Sequence, residues 1–151
     1  DIDDLYYYII DTTFNKIFEE GNKSATKTND LFEYTIITFK IDLDGYLNNK
    51  RHRFIKNVVN SIGNNMEYLQ EHNLKRKEYI NGILDKMDLS LLRIKDREEL
   101  VRVYELLQNL KRVVIHQSIM KELSTSEAVE TMEWHIDLLK QGLLTKENED
   151  E

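Results

Sequence analysis

The sequence predicts an all-α protein, an antiparallel bundle of five or six helices with one long central helix. The chain of 151 residues contains no proline and only five glycines, where average usage would give roughly seven prolines and ten glycines. Few residues therefore interrupt a helix. Apolar residues also recur at intervals of three and four along most of the chain, which is the period of an amphipathic helix.

The first helix is expected at residues 4–20, because apolar side chains there follow the helical period. Asp3 or Asp4 suits its N-cap, and Gly21 suits its end. The polar residues 21–29, GNKSATKTN, predict a mobile loop.

Residues 30–43 fit two structures. Leu31, Tyr34 and Ile41 have helical spacing, whereas alternating apolar residues before Asp44 and Gly45 are typical of a β-hairpin. A strand needs a partner, and no second alternating run of similar quality exists in the chain. We therefore favour a helix and keep the strand as the alternative.

The long central helix is predicted at residues 46–71, where the apolar side chains form one continuous stripe. A further helix at residues 74–87 would form an antiparallel hairpin with it. The apolar residues 88–94 are expected to form a buried connection to the next helix.

Two capping boxes predict the starts of the last two helices. Asp96 is followed three residues later by Glu99, and Ser124 is followed by Glu127. At this spacing the cap side chain accepts a hydrogen bond from a free backbone N–H group of the first turn. We expect one helix from residue 97 to about residue 119, and a second one from residue 125.

The predicted elements form a single helical domain at residues 1–145. Gly142 has the position of a C-terminal cap for the last helix. Residues 146–151, KENEDE, are expected to be a disordered acidic tail. The chain begins with Asp1 and lacks the basic start of a signal peptide, so we expect a fragment or a processed chain.

The absence of cysteine excludes disulfides, thiolate zinc sites and a cysteine nucleophile. It is compatible with a reducing compartment, and we expect an intracellular, cytoplasmic protein. The longest apolar run has six residues, against about 18 for a membrane span. We therefore expect no membrane partner.

Sequence motifs of catalysis and metal binding are missing as well. No two of the four histidines are four residues apart, and the glycines are too far apart for a phosphate-binding loop. No GxSxG motif of serine hydrolases exists. We therefore expect no metal, no cofactor and no enzymatic activity.

The net charge of -7 is unevenly distributed along the chain. Residues 1–45 carry a net -6, residues 46–112 a net +5, and residues 113–151 a net -6. Such a layout favours a charged partner or self-association of unlike segments.

The basic centre contains two clusters that predict a surface for nucleic acid or for an acidic protein. Nucleic-acid-binding domains usually combine a stronger basic excess with interleaved aromatic residues, so nucleic-acid binding is the second hypothesis. The residues of the two clusters are Lys50, Arg51, Arg53, Lys56, Lys75, Arg76 and Lys77.

Aromatic residues predict a protein interface at two places. Tyr6, Tyr7 and Tyr8 are consecutive, so their rings cannot all face one core. Trp134 lies beside the apolar stripe of the last predicted helix. Tyrosine and tryptophan are enriched in interfaces, and these four residues are our candidate contacts with a protein partner.

Arg112 and His116 lie one turn apart on one predicted helix. This pair resembles part of the HEPN ribonuclease motif, in which four to six residues separate Arg from His. Here three residues intervene, and Lys111 stands where the motif requires Arg. The resemblance implies a metal-independent ribonuclease, which is the third hypothesis.

Taken together, the sequence predicts a non-enzymatic helical interaction or regulatory module. It would act through contacts with another protein or with a second copy of itself. Long helices would present charged faces and exposed aromatic residues to that partner.

Overall fold

The computed structural model describes residues 1–48, 53 and 66–146. These residues form five helices and no strand, so the predicted all-α class is confirmed. The helices are α1 (Ile2–Ser24), α2 (Leu31–Asn48), α3 (Met66–Asp85), α4 (Arg97–Met120) and α5 (Thr125–Leu143). Across the described ranges, no helix combines the length and the apolar character of a transmembrane span.

Helix α1 is longer than predicted. It continues through Gly21 to Ser24, so the predictions that Gly21 ends the helix and that a loop begins there are wrong. No glycine in the described part of the chain has a positive φ angle. Gly21 instead serves a close contact, because a Cβ atom at this position would overlap the hydroxyl oxygen of Tyr79 on α3.

Helix α2 resolves the ambiguity of residues 30–43 in favour of a helix. The carboxylate of Asp30 caps its start by accepting hydrogen bonds from the N–H groups of Phe32 and Glu33, at 2.8 and 3.2 Å. Asp44 and Gly45 form no turn and lie within the helix. The predicted β-hairpin does not form, because a local turn motif stabilises the chain less than a helix that is capped and packed on both sides.

The predicted helix at residues 46–71 lies mostly outside the described residues. Tyr46 belongs to α2, whereas Glu71 belongs to α3. The predicted break between residues 71 and 74 is wrong, since α3 passes through it without interruption. His72 lies inside α3 with 8% of its surface exposed. Its Nε2 atom is 3.1 Å from the carboxylate of Asp11 on α1.

Both capping boxes are confirmed. Asp96 Oδ2 accepts from the N–H group of Glu99 at 3.1 Å. Ser124 Oγ accepts from the N–H group of Glu127 at 3.1 Å and donates to the Glu127 carboxylate at 3.0 Å. The last two helices therefore begin where these four residues predict.

The end of α5 differs from the prediction. The helix continues through Gly142 and is capped by Leu144, which pairs with Leu92 in an isolated antiparallel bridge. This bridge joins the end of α5 to the connection at residues 88–94. The predicted burial of that connection holds for Leu92, which is 4% exposed, but not for Leu91, which is 57% exposed.

The main core lies where α2, α3, α4 and α5 pack together. Helix α1 belongs to a separate small cluster around Ile10, and it packs on α2 and α3. The main core is formed by fully buried side chains from four helices, among them Tyr34, Phe39, Leu43, Ile83, Leu84, Leu107, Val114 and Met132. Because α1 is not part of this core, a cavity remains between it and the other helices.

Candidate functional site

The candidate site is a cavity of about 450 Å³ between α1, α2, α3 and α4. This volume falls within the range of about 300–1,000 Å³ that is usual for ligand sites. About half of the lining residues are apolar or aromatic, and the others are polar or charged. The aromatic residues in the lining are Phe14, Phe18, Tyr34, Tyr46, His72, Tyr79 and Tyr104.

Tyr34, Tyr79 and Tyr104 meet at one end of the cavity, which we call the tyrosine end. The hydroxyl oxygens of Tyr34 and Tyr79 are 3.1 Å apart, and the ring centroids of Tyr34 and Tyr104 are 6.3 Å apart. Burial is the main reason why the pKa of each phenol lies above its usual value. Coulomb interactions within the cluster raise the pKa of Tyr34 and Tyr104 further, whereas the hydrogen bonds of Tyr79 to its two neighbours oppose the rise of its pKa. The three hydroxyl groups therefore remain neutral donors and acceptors in alkaline solution.

The α1 backbone closes the tyrosine end. A Cβ atom on Gly21 would overlap Tyr79 Oη and lie 3.0 Å from Tyr34 Oη, so glycine is what allows the helix to approach these hydroxyl groups. Phe18, one turn earlier, stacks on the ring of Tyr79 with a centroid distance of 4.4 Å and an angle of 22°. The position of Tyr79 and the position of α1 therefore depend on each other.

Asp42, Tyr46, Lys111 and Arg112 line the opposite part of the cavity, which we call the charged end. Lys111 Nζ is 2.8 Å from Asp42 Oδ2, and the side chains of Lys111 and Asp42 are 9% and 16% exposed. Burial, followed by the charge of Asp42, raises the pKa of Tyr46, while the positive charge of Arg112 opposes this rise. Arg112 also donates a hydrogen bond to the side chain of Asn109.

Helices α1 and α3 form the aromatic wall, which we define as Phe14, Phe18, His72 and Tyr79. The rings of Phe14 and His72 are 4.8 Å apart, beside the stacked pair of Phe18 and Tyr79. The contact between His72 Nε2 and the Asp11 carboxylate, at 3.1 Å, holds the imidazole against this wall. The two ring pairs lie next to each other along the cavity. Phe18 and Tyr79 are nearly parallel, whereas Phe14 and His72 are tilted by 47° to each other.

Gln108 lies on α4 between the two ends, one turn after Tyr104 and one turn before Arg112. Its Nε2 atom is buried and, among the residues that the structure describes, has no hydrogen-bond partner. A buried donor without an acceptor costs about 1–3 kcal/mol. The arrangement therefore offers a free amide donor to a molecule in the cavity.

The residues of the second predicted basic cluster have different surroundings. Arg76 lines the cavity and lies 3.9 Å from the carboxylate of Glu105, whereas Lys75 and Lys77 are exposed on α3. Arg53 is helical and exposed. Nucleic-acid binding by these clusters stays a prediction. Outside the described residues lie Lys50, Arg51 and Lys56.

The predicted interface residues differ in exposure. Tyr8 is 68% exposed and Trp134 is 61% exposed, whereas Tyr6 and Tyr7 are half-buried against Ile10. Their role in an interface stays a prediction.

Both residues behind the ribonuclease hypothesis are exposed on α4. Arg112 also lines the cavity, whereas His116 is not part of its lining. Within the described ranges, no three His, Asp or Glu residues are grouped so that they could hold a metal ion. Ribonuclease activity stays a prediction.

Arg76 and Arg112 were predicted as parts of other sites, and most of the aromatic lining residues as parts of apolar stripes, so the cavity was missed from the sequence. Tyr104 falls into the helical spacing of the buried residues of α4, and Tyr34 falls into that of α2. One signal was present: Gln108 and Lys111 interrupt the apolar face of α4, and polar residues on such a face are expected to have partners or a function.

The fold and the cavity together define a helical-bundle domain with a site of small-molecule size between its helices. The family model described as "Tetracyclin repressor-like, C-terminal domain" matches residues 30–143, which include α2 to α5. The chain belongs to this family. No curated protein and no solved structure matches the chain. C-terminal domains of this family are typically the ligand-binding and dimerisation part of a transcriptional regulator, which agrees in general terms with a regulatory helical module.

Proposed function

We propose that this chain is the ligand-sensing and self-associating domain of a transcriptional regulator, and that its ligand occupies the cavity. One observation carries this proposal: a domain of this family contains a cavity of about 450 Å³ with buried polar groups in its lining. Concave sites of this volume, with apolar walls and convergent polar groups, are the usual sites of small molecules.

Helix α1 is the element that would respond to the ligand. Phe18 and Gly21 on α1 contact Tyr79, and Asp11 contacts His72. A ligand that moves the ring of Tyr79 would displace α1, because no free space separates Tyr79 from Gly21. The ligand would favour whichever position of α1 it binds better.

Self-association would use the exposed apolar side chains of α4 and α5. Leu106, Val113 and Met120 recur every seven residues on α4 and are 46%, 51% and 71% exposed. Trp134 and Leu138 lie one turn apart on α5 and are 61% and 54% exposed. A second copy is the partner we propose, because domains of this family commonly dimerise and a seven-residue apolar repeat suits helix–helix packing.

The cavity is tested with N-phenyl-1-naphthylamine, a neutral aromatic dye that fluoresces in apolar surroundings. The wild-type chain should bind it saturably. Ile41→Trp should abolish binding, because Ile41 lines the cavity and an indole would fill it. Leu47→Trp is the matched control on α2, since Leu47 is 43% exposed and lies outside the lining. Equal binding by both variants would overturn a ligand site in the cavity.

Self-association is tested by sedimentation equilibrium of the full chain. Val113→Glu should shift a dimer to a monomer, because it places a charge within the seven-residue repeat. Ile119→Glu is the control, since Ile119 is 39% exposed on the same helix but lies outside that repeat. A dimer that is lost in Tyr8→Glu and retained in Val113→Glu would contradict the proposed face and favour the N-terminal tyrosines.

A further inference from the structure

The aromatic wall suits a planar ring. Phe18 and Tyr79 are nearly parallel, with an angle of 22° and a centroid distance of 4.4 Å. The rings of Phe14 and His72, tilted by 47° to each other, continue the wall. Planar aromatic ligands gain both apolar burial and favourable ring contacts on such a surface. The wall alone does not discriminate between neutral and charged rings, so the choice between them depends on the polar groups of α4.

Gln108 is the first polar group that restricts the chemistry of the ligand. Its buried Nε2 atom has no hydrogen-bond partner in the described part of the chain. An amide nitrogen only donates hydrogen bonds. A ligand that satisfies it must therefore present an acceptor, and an oxygen atom is the most common one.

The charged side chains near Gln108 restrict the charge of the ligand. The charged side chains one turn further along the α4 lining are Lys111 and Arg112, both positive. The lining also contains two acids, Glu20 on α1 and Asp42 on α2, and the Asp42 carboxylate lies 2.8 Å from Lys111 Nζ. The charged end therefore keeps a net positive charge through Arg112, which favours an anion over a cation.

We infer that the cavity selects planar aromatic molecules that carry an oxygen anion, such as a carboxylate or a sulfonate. The ring lies on the aromatic wall, while the anion accepts hydrogen bonds from Gln108 Nε2 and from the guanidinium group of Arg112. Charge-assisted hydrogen bonds of this kind are about twice as strong as neutral ones. This inference rests on the proposed ligand-binding function and specifies the chemistry of its ligand.

Two dyes of nearly the same shape test the inference. 1-Anilinonaphthalene-8-sulfonate has the ring system of N-phenyl-1-naphthylamine and adds one sulfonate group. Fluorescence titration of the full chain gives both dissociation constants. Gln108→Leu should raise the dissociation constant of the sulfonate dye about tenfold, which corresponds to about 1.4 kcal/mol. The dissociation constant of the neutral dye should change by no more than about twofold. Arg112→Gln should have the same selective effect.

Two control variants separate cavity binding from surface binding. Gln117→Leu changes an exposed glutamine on the same helix and should alter neither constant. Ile41→Trp should remove the binding of both dyes. Binding that survives Ile41→Trp, or no binding by the wild-type chain, would overturn the proposed function. Binding that Ile41→Trp abolishes, but that Gln108→Leu and Arg112→Gln change equally for both dyes, would overturn only the anion preference.

Discussion

The tyrosine end and the charged end bury polar groups in two different ways. Tyr34 and Tyr79 are neutral, and their hydroxyl groups are 3.1 Å apart. Lys111 and Asp42 form an ion pair at 2.8 Å with side chains that are 9% and 16% exposed. A buried neutral group can change its partner at modest cost, whereas a buried ion that loses its counter-ion is expensive. Loss of one group should therefore be tolerated at the tyrosine end and not at the charged end.

The largest effect is expected from Lys111→Met, which removes the positive charge that lies 2.8 Å from the Asp42 carboxylate. Removal of one partner of a buried ion pair costs about 3–5 kcal/mol. Urea denaturation followed by circular dichroism should show this loss. The double variant Lys111→Met/Asp42→Leu should recover most of it, because buried ion pairs are often replaced by apolar residues without loss.

The matched control is the ion pair between Arg97 and Asp85, which has a similar distance, 2.7 Å, but side chains 47% and 66% exposed. Arg97→Met should cost no more than about 1 kcal/mol, since solvent screens the pair. Similar losses for Lys111→Met and Arg97→Met would contradict the role assigned to burial.

The next effect concerns the close contact at the tyrosine end. Gly21→Ala places a Cβ atom onto the Tyr79 hydroxyl and should destabilise the fold by about 1–3 kcal/mol, as overpacked sites do. Tyr79→Phe removes the overlapping oxygen, so the double variant should lose less than the sum of the two single changes.

Gly82→Ala is the control for this contact. Gly82 lies in α3, and nothing in the described structure comes within 4 Å of an added Cβ atom. Alanine there should stabilise the protein by about 0.5–1 kcal/mol, because glycine is a poor helix former. A stabilising Gly21→Ala change would show that α1 does not approach Tyr79 as closely as described.

A pH dependence is expected from the buried phenols. Burial raises the pKa of Tyr34 and Tyr104 above the unfolded value of 10.0. Above about pH 10 the unfolded state loses these protons while the folded state keeps them, so the unfolding free energy falls as pH rises. The slope is about 1.4 kcal/mol per pH unit for each such tyrosine.

We therefore expect the unfolding free energy to fall less steeply with pH in Tyr34→Phe than in the wild-type chain, by about the contribution of one tyrosine. Urea denaturation repeated between pH 9 and 11 measures both slopes. Absorbance at 295 nm gives a second measurement, since the ionisation of the buried phenols should require unfolding. Equal slopes for the two proteins would contradict the raised pKa of Tyr34.

The smallest effect is expected from Tyr34→Phe at neutral pH. It removes one hydroxyl group and leaves Tyr79 and Tyr104 as partners of each other, an interaction that contributes to the pKa of Tyr79. The cost should be about 1 kcal/mol. A loss as large as that of Lys111→Met would show that the two ends do not differ in their tolerance.

The helix starts illustrate what could be predicted from the sequence. Asp96 with Glu99, and Ser124 with Glu127, mark the beginnings of α4 and α5 correctly. A cap forms between residues three positions apart, so the local sequence contains all the groups involved. The all-α class followed in the same way from the spacing of apolar residues and the lack of proline.

Gly21 and Gly142 are residues whose structure the local sequence did not predict. Both were predicted to end helices, and both lie within them. Glycine permits a helix end but does not require one. Whether a helix continues past Gly21 depends on Tyr79, which belongs to a different helix.

The sequence by itself therefore determined the helical class and the beginnings of α4 and α5, because those depend on interactions within one or two turns. Only the tertiary structure decided that Lys111 meets Asp42, that Tyr34 meets Tyr79, and that Gln108 Nε2 faces no acceptor among the described residues. A cavity exists where packed helices fail to touch. Its position depends on the side chains of four helices at once, and periodicity along one helix does not contain that information.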